Sequence, residues 1–347
     1  MHQACSYKPH IRVGDQSYPA YELKNLFRYL KLHFASEVVE RLYTDIGIGE
    51  AELALSQFVY VWQVEYAMNY LRELSPDPET AVKVASSYRV ATLDVLLPHL
   101  TQFKTLGQCL QFAISNPDLV GSFSDTLLRN HDGHLHVRWL NTNKVDTEHY
   151  SFQFQHSLCS LLAVAKELTG EAVQVSHISF AEPARAVDLL SVQSGADIRF
   201  NSEFFEWSID HRYLSLPVTY SFEQDVAGCS IVSSHSYISE ILTILRQQAP
   251  ELACMESMAE LQNISARTLR RKLANANTSY QKLVDQVRCQ KAIDLILTSN
   301  YSIDEISELM GFSDVSHFRQ SFKHWIGYPP GHFHLLNRPL TESLASK

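Results

Sequence analysis

The chain has 347 residues, enough for two or three domains with cores of their own, and its 45% hydrophobic and 19% charged residues are those of an ordinary soluble protein. No apolar run approaches the roughly 20 residues that span a bilayer, and the opening residues lack the apolar stretch of a signal peptide, so a cytoplasmic protein without a membrane partner is expected. The net charge of −9 argues against nucleic acid until it is divided: residues 250–347 hold 11 Lys and Arg against 10 Asp and Glu, so the acidity belongs to the front of the chain.

In chain order, Leu23, Leu26, Phe27 and Leu30 repeat at helical spacing. A longer helix is expected from about Glu50 to Leu74, carrying Phe58, Trp62, Tyr66 and Tyr70 four residues apart and closed by Pro76 and Pro78. Helices near Thr80 to Val90 and Leu106 to Ile114 follow. His134 to Leu140 then alternates Leu135, Val137 and Trp139 with His136 and Arg138, a strand with one buried face entered through the turn at Asp132-Gly133. A helix over about Glu148 to Leu168 stops at Gly170. Beyond it come a strand over Ala172 to Phe180, a short helix from Pro183 through Leu190, and strands at Ile198 to Phe200 and Phe205 to Ile209. Strands separated by helices imply an α+β domain over residues 1–217.

That domain shows no catalytic set. His131, His134 and His136 cluster, but no nearby acid or cysteine completes a set of ligands, so a solvated hairpin is expected and no metal or cofactor. The six cysteines are scattered without paired spacing. There is no Gly-x-Ser-x-Gly elbow and no Gly-rich phosphate loop, so an enzyme is not expected. Trp62, Tyr66, Tyr88, Trp139 and Phe180 are candidates for a pocket or, more ordinarily, for core.

Residues 218–249 read as a linker ending in a helix over about Ser233 to Gln247. Its stripe of Ile238, Ile241, Leu242 and Leu245 can pack on the back domain or pair two chains; the first is favoured because the following helices need support. Residues 250–338 then hold two copies of one pattern. Met258 to Leu261 and a turn at Gln262 to Ile264 lead to Ser265, which caps a helix from Ala266 to Leu273. Forty-nine residues on, a helix capped by Ser302 and stopped at Gly311 leads to one that buries Phe318, Phe322 and Trp325. Each copy is a helix-turn-helix with an exposed polar face, Arg267, Arg270 and Arg271 in the first and Ser316, His317, Arg319 and Gln320 in the second. These seven are the candidate DNA contacts. The helix expected from Tyr280 to Thr298 is roughly 30 Å long. That is close to the roughly 34 Å between successive major-groove faces on one side of B-DNA, so one chain can address two grooves. Residues 339–347 read as a flexible tail.

The back domain resembles the DNA-binding domain of the AraC/XylS transcription regulators, on Ser265-x-Arg267-x-Leu269-x-Arg271-x-Leu273, Arg288-x-x-x-Ala292, Ile303-x-x-Ile306, Gly311-Phe312-Ser313-Asp314-x-Ser316-x-Phe318-x-x-x-Phe322-Lys323 and Gly327-x-Pro329-Pro330. More loosely, Phe180, Pro183, Phe200 and Leu216-Pro217 resemble the sensing domain of ornithine-utilisation regulators. The resemblance implies an α+β sensor domain followed by an all-α double helix-turn-helix domain, in a transcription regulator, an activator by analogy. Its partners would be double-stranded promoter DNA, a small-molecule effector, RNA polymerase and a second copy of the chain. The alternative is a DNA-binding protein whose front domain only dimerises. The chain departs from the pattern at Gln262, Asn277, Ser307, Gln320 and His334. With fewer cations in the second unit, the first is expected to supply more of the affinity.

Overall fold

The computed structural model describes residues 5–8, 14–140, 146–222, 236–248, 254–326 and 329–336. Its strands are β1 Cys5–Lys8, β2 Ser17–Pro19, β3 Phe58–Tyr60, β4 Asp125–His131, β5 His134–Leu140, β6 His177–Ser179, β7 Asp197–Arg199 and β8 Phe205–Asp210. The helices of the front part are α1 Ala20–His33, α2 Ser36–Ile46, α3 Glu50–Leu55, α4 Val61–Leu74, α5 Thr80–Ala85, α6 Leu97–Leu100, α7 Leu106–Ser115, α8 Pro117–Val120, α9 Thr147–Thr169, α10 Asp188–Ser194 and α11 His211–Leu214. The back part holds α12 Tyr237–Gln248, α13 Met255–Leu261, α14 Ala266–Asn275, α15 Tyr280–Thr298, α16 Ile303–Leu309, α17 Val315–Ile326 and α18 Pro330–Leu336.

One sheet, ordered β1-β4-β5-β8-β6-β7, is antiparallel except for the β6–β7 pair. Its central hairpin turns at Asp132 and Gly133, both left-handed with φ of 47° and 73°, the pairing that a two-residue hairpin of native twist requires. One face of the sheet, with Leu128, Val137, Trp139 and Trp207, packs on Tyr150, Phe154, Leu158 and Leu162 of α9. A separate helical core gathers Leu23, Leu26 and Leu30 of α1, Leu42 of α2, and Val64, Met68 and Leu71 of α4.

The opposite face of the sheet is covered by the back part. Leu127 and Leu140, with Phe204 beside them, share a core with Cys289, Ala292, Ile293 and Ile296 of α15 and with Phe318 and Phe322. At its other end α15 contributes Tyr280, Leu283, Val284 and Val287 to a core completed by α12, α13 and α14. Serving two cores and the sheet, α15 is buried on more than one side, as a connector between rigid units must be. The α12 stripe of Ile238, Ile241, Leu242 and Leu245 lies in that same core, supporting the first helix-turn-helix.

Three expectations are corrected. The helix expected over Glu50 to Leu74 is broken by β3, which pairs with β2, and Trp62 and Tyr66 lie on the outer side of α4 at 37% and 41% exposure. The strand from Ala172 keeps only His177–Ser179. The helix expected at Pro183 begins instead at Asp188, because the preceding segment is taken by a polar clamp on α9. There Ser151 Oγ donates to Glu182 Oε1 at 2.6 Å and accepts from Arg185 Nη2 at 2.7 Å. The start of α10 is capped from a distance, its Leu189 and Leu190 amides donating to Glu79 Oε1.

Candidate nucleic-acid interface and sensor cavity

Both helix-turn-helix units are set by their caps. Ser265 Oγ accepts from the Thr268 amide at 3.1 Å at the start of α14. Ser302 and Glu305 form a reciprocal capping box at the start of α16, the Ser302 amide donating to Glu305 Oε2 at 2.7 Å and the Glu305 amide donating to Ser302 Oγ at 3.2 Å. At the start of α17 Asp314 Oδ1 accepts from the Ser316 amide at 3.0 Å. The turn of the first unit uses left-handed Asn263 and that of the second Gly311, while Asn277 after α14 is left-handed too, as its side chain tolerates. Between α13 and α14 lie four residues, between α16 and α17 five. The recognition helices therefore repeat at 49 residues, but the supporting ones repeat at 48, with buried Ala259 answering buried Ser307.

Each of the seven candidate contacts is exposed on its recognition helix. Leu269 and Leu273 of α14, and Phe318 and Phe322 of α17, are fully buried and fix which side turns outward. The two faces differ electrostatically. Arg267, Arg270 and Arg271 have no ion-pair partner among the described residues, whereas Arg319 Nη2 lies 3.6 Å from Asp304 Oδ1 of the supporting helix. Lys272 is turned away, its Nζ 4.2 Å from the Tyr237 ring centroid on α12. Arg288 is half-buried on α15, in keeping with a side chain held against the domain. The side chain of His334 lies outside the described residues.

In the front part a cavity of about 220 Å³ opens between α1, α7, α9 and the sheet. Its walls are mainly apolar, and Tyr88 and Trp139 of the expected aromatics line it, while Phe180 is core and Trp62 and Tyr66 are outside. Three buried polar groups face this apolar space. Burial pushes the Glu22 carboxyl up to about 7 despite a hydrogen bond from Tyr88 Oη. His156 is held neutral, its pKa lowered by burial to about 4, and its Nε2 has no hydrogen-bond partner. Tyr21 Oη is anchored on the Val120 carbonyl at 2.7 Å. Neither Glu22 nor His156 was singled out from the sequence. The signal was present in Glu22, a carboxylate spaced four and seven residues before Leu26 and Tyr29 on an otherwise apolar helix face.

An α+β domain with a mainly apolar cavity, carried on a double helix-turn-helix whose outward faces are polar, has the architecture of a DNA-binding transcription regulator. Residues 258–334 match a helix-turn-helix domain family, and residues 38–218 match the arabinose-binding N-terminal domain of AraC transcription regulators. The chain belongs to the AraC-type transcription regulators. It is 24% identical to the ornithine utilization regulator of Pseudomonas aeruginosa over 271 residues, 75% of this chain and 79% of that protein. The HTH-type transcriptional regulator VqsM of the same organism is 34% identical over 90 residues, which cover 26% of this chain and 27% of VqsM. The crystal structure of the regulator CdpR from Pseudomonas aeruginosa aligns over 91% of this chain and 98% of its own, with 17% identity and a TM-score of 0.40. Among the described residues no helix is long and apolar enough to cross a membrane.

Proposed function

We propose that this regulator activates transcription in response to a small, mainly apolar molecule with one polar head, bound in the cavity of the front domain. One observation carries the reading. Alternate residues of the same two strands serve the cavity and the DNA-binding part: Thr126, Leu128, Val137 and Trp139 line the cavity, while Leu127 and Leu140 between and beside them pack against α15. Because successive side chains of a strand point to opposite faces, a ligand that shifts β4 or β5 acts on the seat of the helix joining the two recognition units.

The head group is recognised by Glu22, Tyr88 and His156. A buried carboxyl with one partner and a buried imidazole nitrogen with none are costly in an apolar cavity, and a ligand that hydrogen-bonds to them removes that cost. Arg267, Arg270 and Arg271 grip phosphates and guanine edges, and Ser316, His317, Arg319 and Gln320 tune position and sequence. Activation implies RNA polymerase as a partner, and the relatives include a transcriptional activator, CfaD of Escherichia coli, 29% identical over 103 residues. The test is a thermal-shift screen of the full chain against cellular metabolites, repeated with Glu22→Gln and His156→Phe. A hit whose shift is lost in these variants, and which changes promoter affinity in the wild type, supports the reading. Ligands that bind equally well to both variants refute the assigned cavity.

A further inference from the structure

On the other face of the sheet, away from the cavity, three strands bring together a group that no helix or loop contains. His136 on β5 and His177 on β6 flank Ser208 on β8 in one cross-strand row. Glu206, two residues earlier on β8, stands in the next row toward them, on the same face. We propose that His136, His177 and Glu206 form a binding site for a divalent transition metal, Zn²⁺ in the first instance, held by two imidazole nitrogens and one carboxylate oxygen with water completing the shell.

The distances suit an ion. His136 Nδ1 is 3.5 Å and His177 Nε2 is 3.7 Å from Glu206 Oε1, too long for good hydrogen bonds, and the three ligand atoms all lie within 4.8 Å of one another. Zinc–nitrogen and zinc–oxygen bonds of about 2.0–2.2 Å in a tetrahedron place ligand atoms about 3.3 Å apart. Two edges are thus nearly at the required length, and small rotations of two half-buried imidazoles close the third. His177 Nε2 is moreover a buried atom with no hydrogen-bond partner. The three polar atoms converge on one point, with His136 near enough to Glu206 to favour its charged form and His177 Nε2 unbonded.

The surroundings orient the ligands as metal sites do. His177 Nδ1 lies 2.7 Å from Ser208 Oγ; as donor to that hydroxyl it leaves the Nε2 lone pair directed at the site. Glu206 Oε2 accepts from Arg138 Nε at 2.5 Å, which fixes the carboxylate and leaves Oε1 for the ion. Around the site Arg138 offsets Glu206, Arg199 is paired with Asp197 at 2.9 Å, and buried Arg129 stands opposite His136 on the neighbouring strand, so an ion is held by the ligand atoms themselves rather than by a surplus of negative charge. Imidazole and carboxylate ligands suit zinc and its neighbours rather than magnesium or calcium, which take oxygen donors. Both histidines are partly open to solvent, at 23% and 17% side-chain exposure, so an ion has a way in.

The experiment uses the full chain, freed of any purification tag and of metal, titrated with Zn²⁺ by calorimetry and with Co²⁺ by visible absorption. The expected result is one site, with the d–d bands of a low-coordinate nitrogen and oxygen environment. His136→Ala and His177→Ala should each weaken it by more than about 100-fold, and Ser208→Ala by about 10- to 100-fold, as for partners that orient a ligand. His131→Ala, on the other strand of the same hairpin and outside the set of three ligands, should leave it unchanged. Melting temperature and DNA affinity without metal, measured on every variant, separate loss of ligand from loss of fold. No site on the wild type, or a site lost with His131→Ala and kept in His177→Ala, overturns the assignment.

Discussion

Replacing Glu22 by Gln tests the cavity without disturbing its shape. Glu22 is buried with a folded-state pKa of about 7 against an ordinary 4.5, so between those values the folded protein holds a proton that the unfolded chain has released. The wild type therefore loses stability as pH rises through that window. About 2.5 units at about 1.4 kcal/mol each gives ~3 kcal/mol. The amide introduced by Glu22→Gln can still accept from Tyr88 Oη through its carbonyl and carries no charge to desolvate. The variant should come close to the wild type at pH 5 and exceed it above pH 8 by roughly 6–12 °C in the transition of the front domain, taking about 2–4 °C per kcal/mol. His156 contributes a slope of opposite sign, since its folded pKa of about 4 lies below the ordinary 6.5, but that slope is common to both proteins and cancels in the difference. The assay is thermal unfolding from pH 5 to 9. A gap that does not change with pH, or a variant less stable at pH 8, would refute the idea that Glu22 is a costly buried charge.

Other substitutions read other parts. Arg271→Ala should weaken binding to a promoter fragment by about 1–3 kcal/mol if it reads a base, or lower the salt slope by about 0.9 if it neutralises a phosphate, measured by fluorescence anisotropy at several salt concentrations. Arg319→Ala should cost less, because Asp304 already holds that guanidinium. Gly121→Ala should destabilise the front domain by about 2–4 kcal/mol, since its φ is +77° and an added Cβ would stand 2.5 Å from the Tyr18 ring and hydroxyl; chemical denaturation checks this. Ser302→Ala removes half of the capping box and should cost about 1 kcal/mol, read from the unfolding of the DNA-binding part.

The helix-turn-helix units were legible because each signal is local. Ser265 and Ser302 cap, Gly311 turns, and buried Leu269, Leu273, Phe318 and Phe322 recur at helical spacing, leaving a polar face. Strand β4 was not legible. Leu127 and Leu128 are both buried, one against α15 and the other against α9, so the alternation that marks a half-exposed strand is missing. The aromatic stripe of Trp62 and Tyr66 misled in the opposite sense: its spacing is helical, but Val61, Val64 and Met68 take the core side of α4. The histidine reading stopped at one hairpin because His177 and Glu206 stand 41 and 70 residues beyond His136 and meet it only through the pairing of β5, β8 and β6. The cavity is likewise made by distant segments, Glu22 from α1 and His156 from α9.

The proposed mode of DNA binding requires a single chain to place two recognition helices in successive major grooves through a 19-residue connector, about 28 Å long at 1.5 Å per residue. Hydroxyl-radical footprinting of the purified protein on a promoter it regulates measures this directly. Two protected segments on one face of the duplex, centred about 10 base pairs apart for each bound chain, with Arg271→Ala weakening one segment and Gln320→Ala the other, are the expected result. A single protected segment per chain, or two that fall on opposite faces of the duplex, would contradict it.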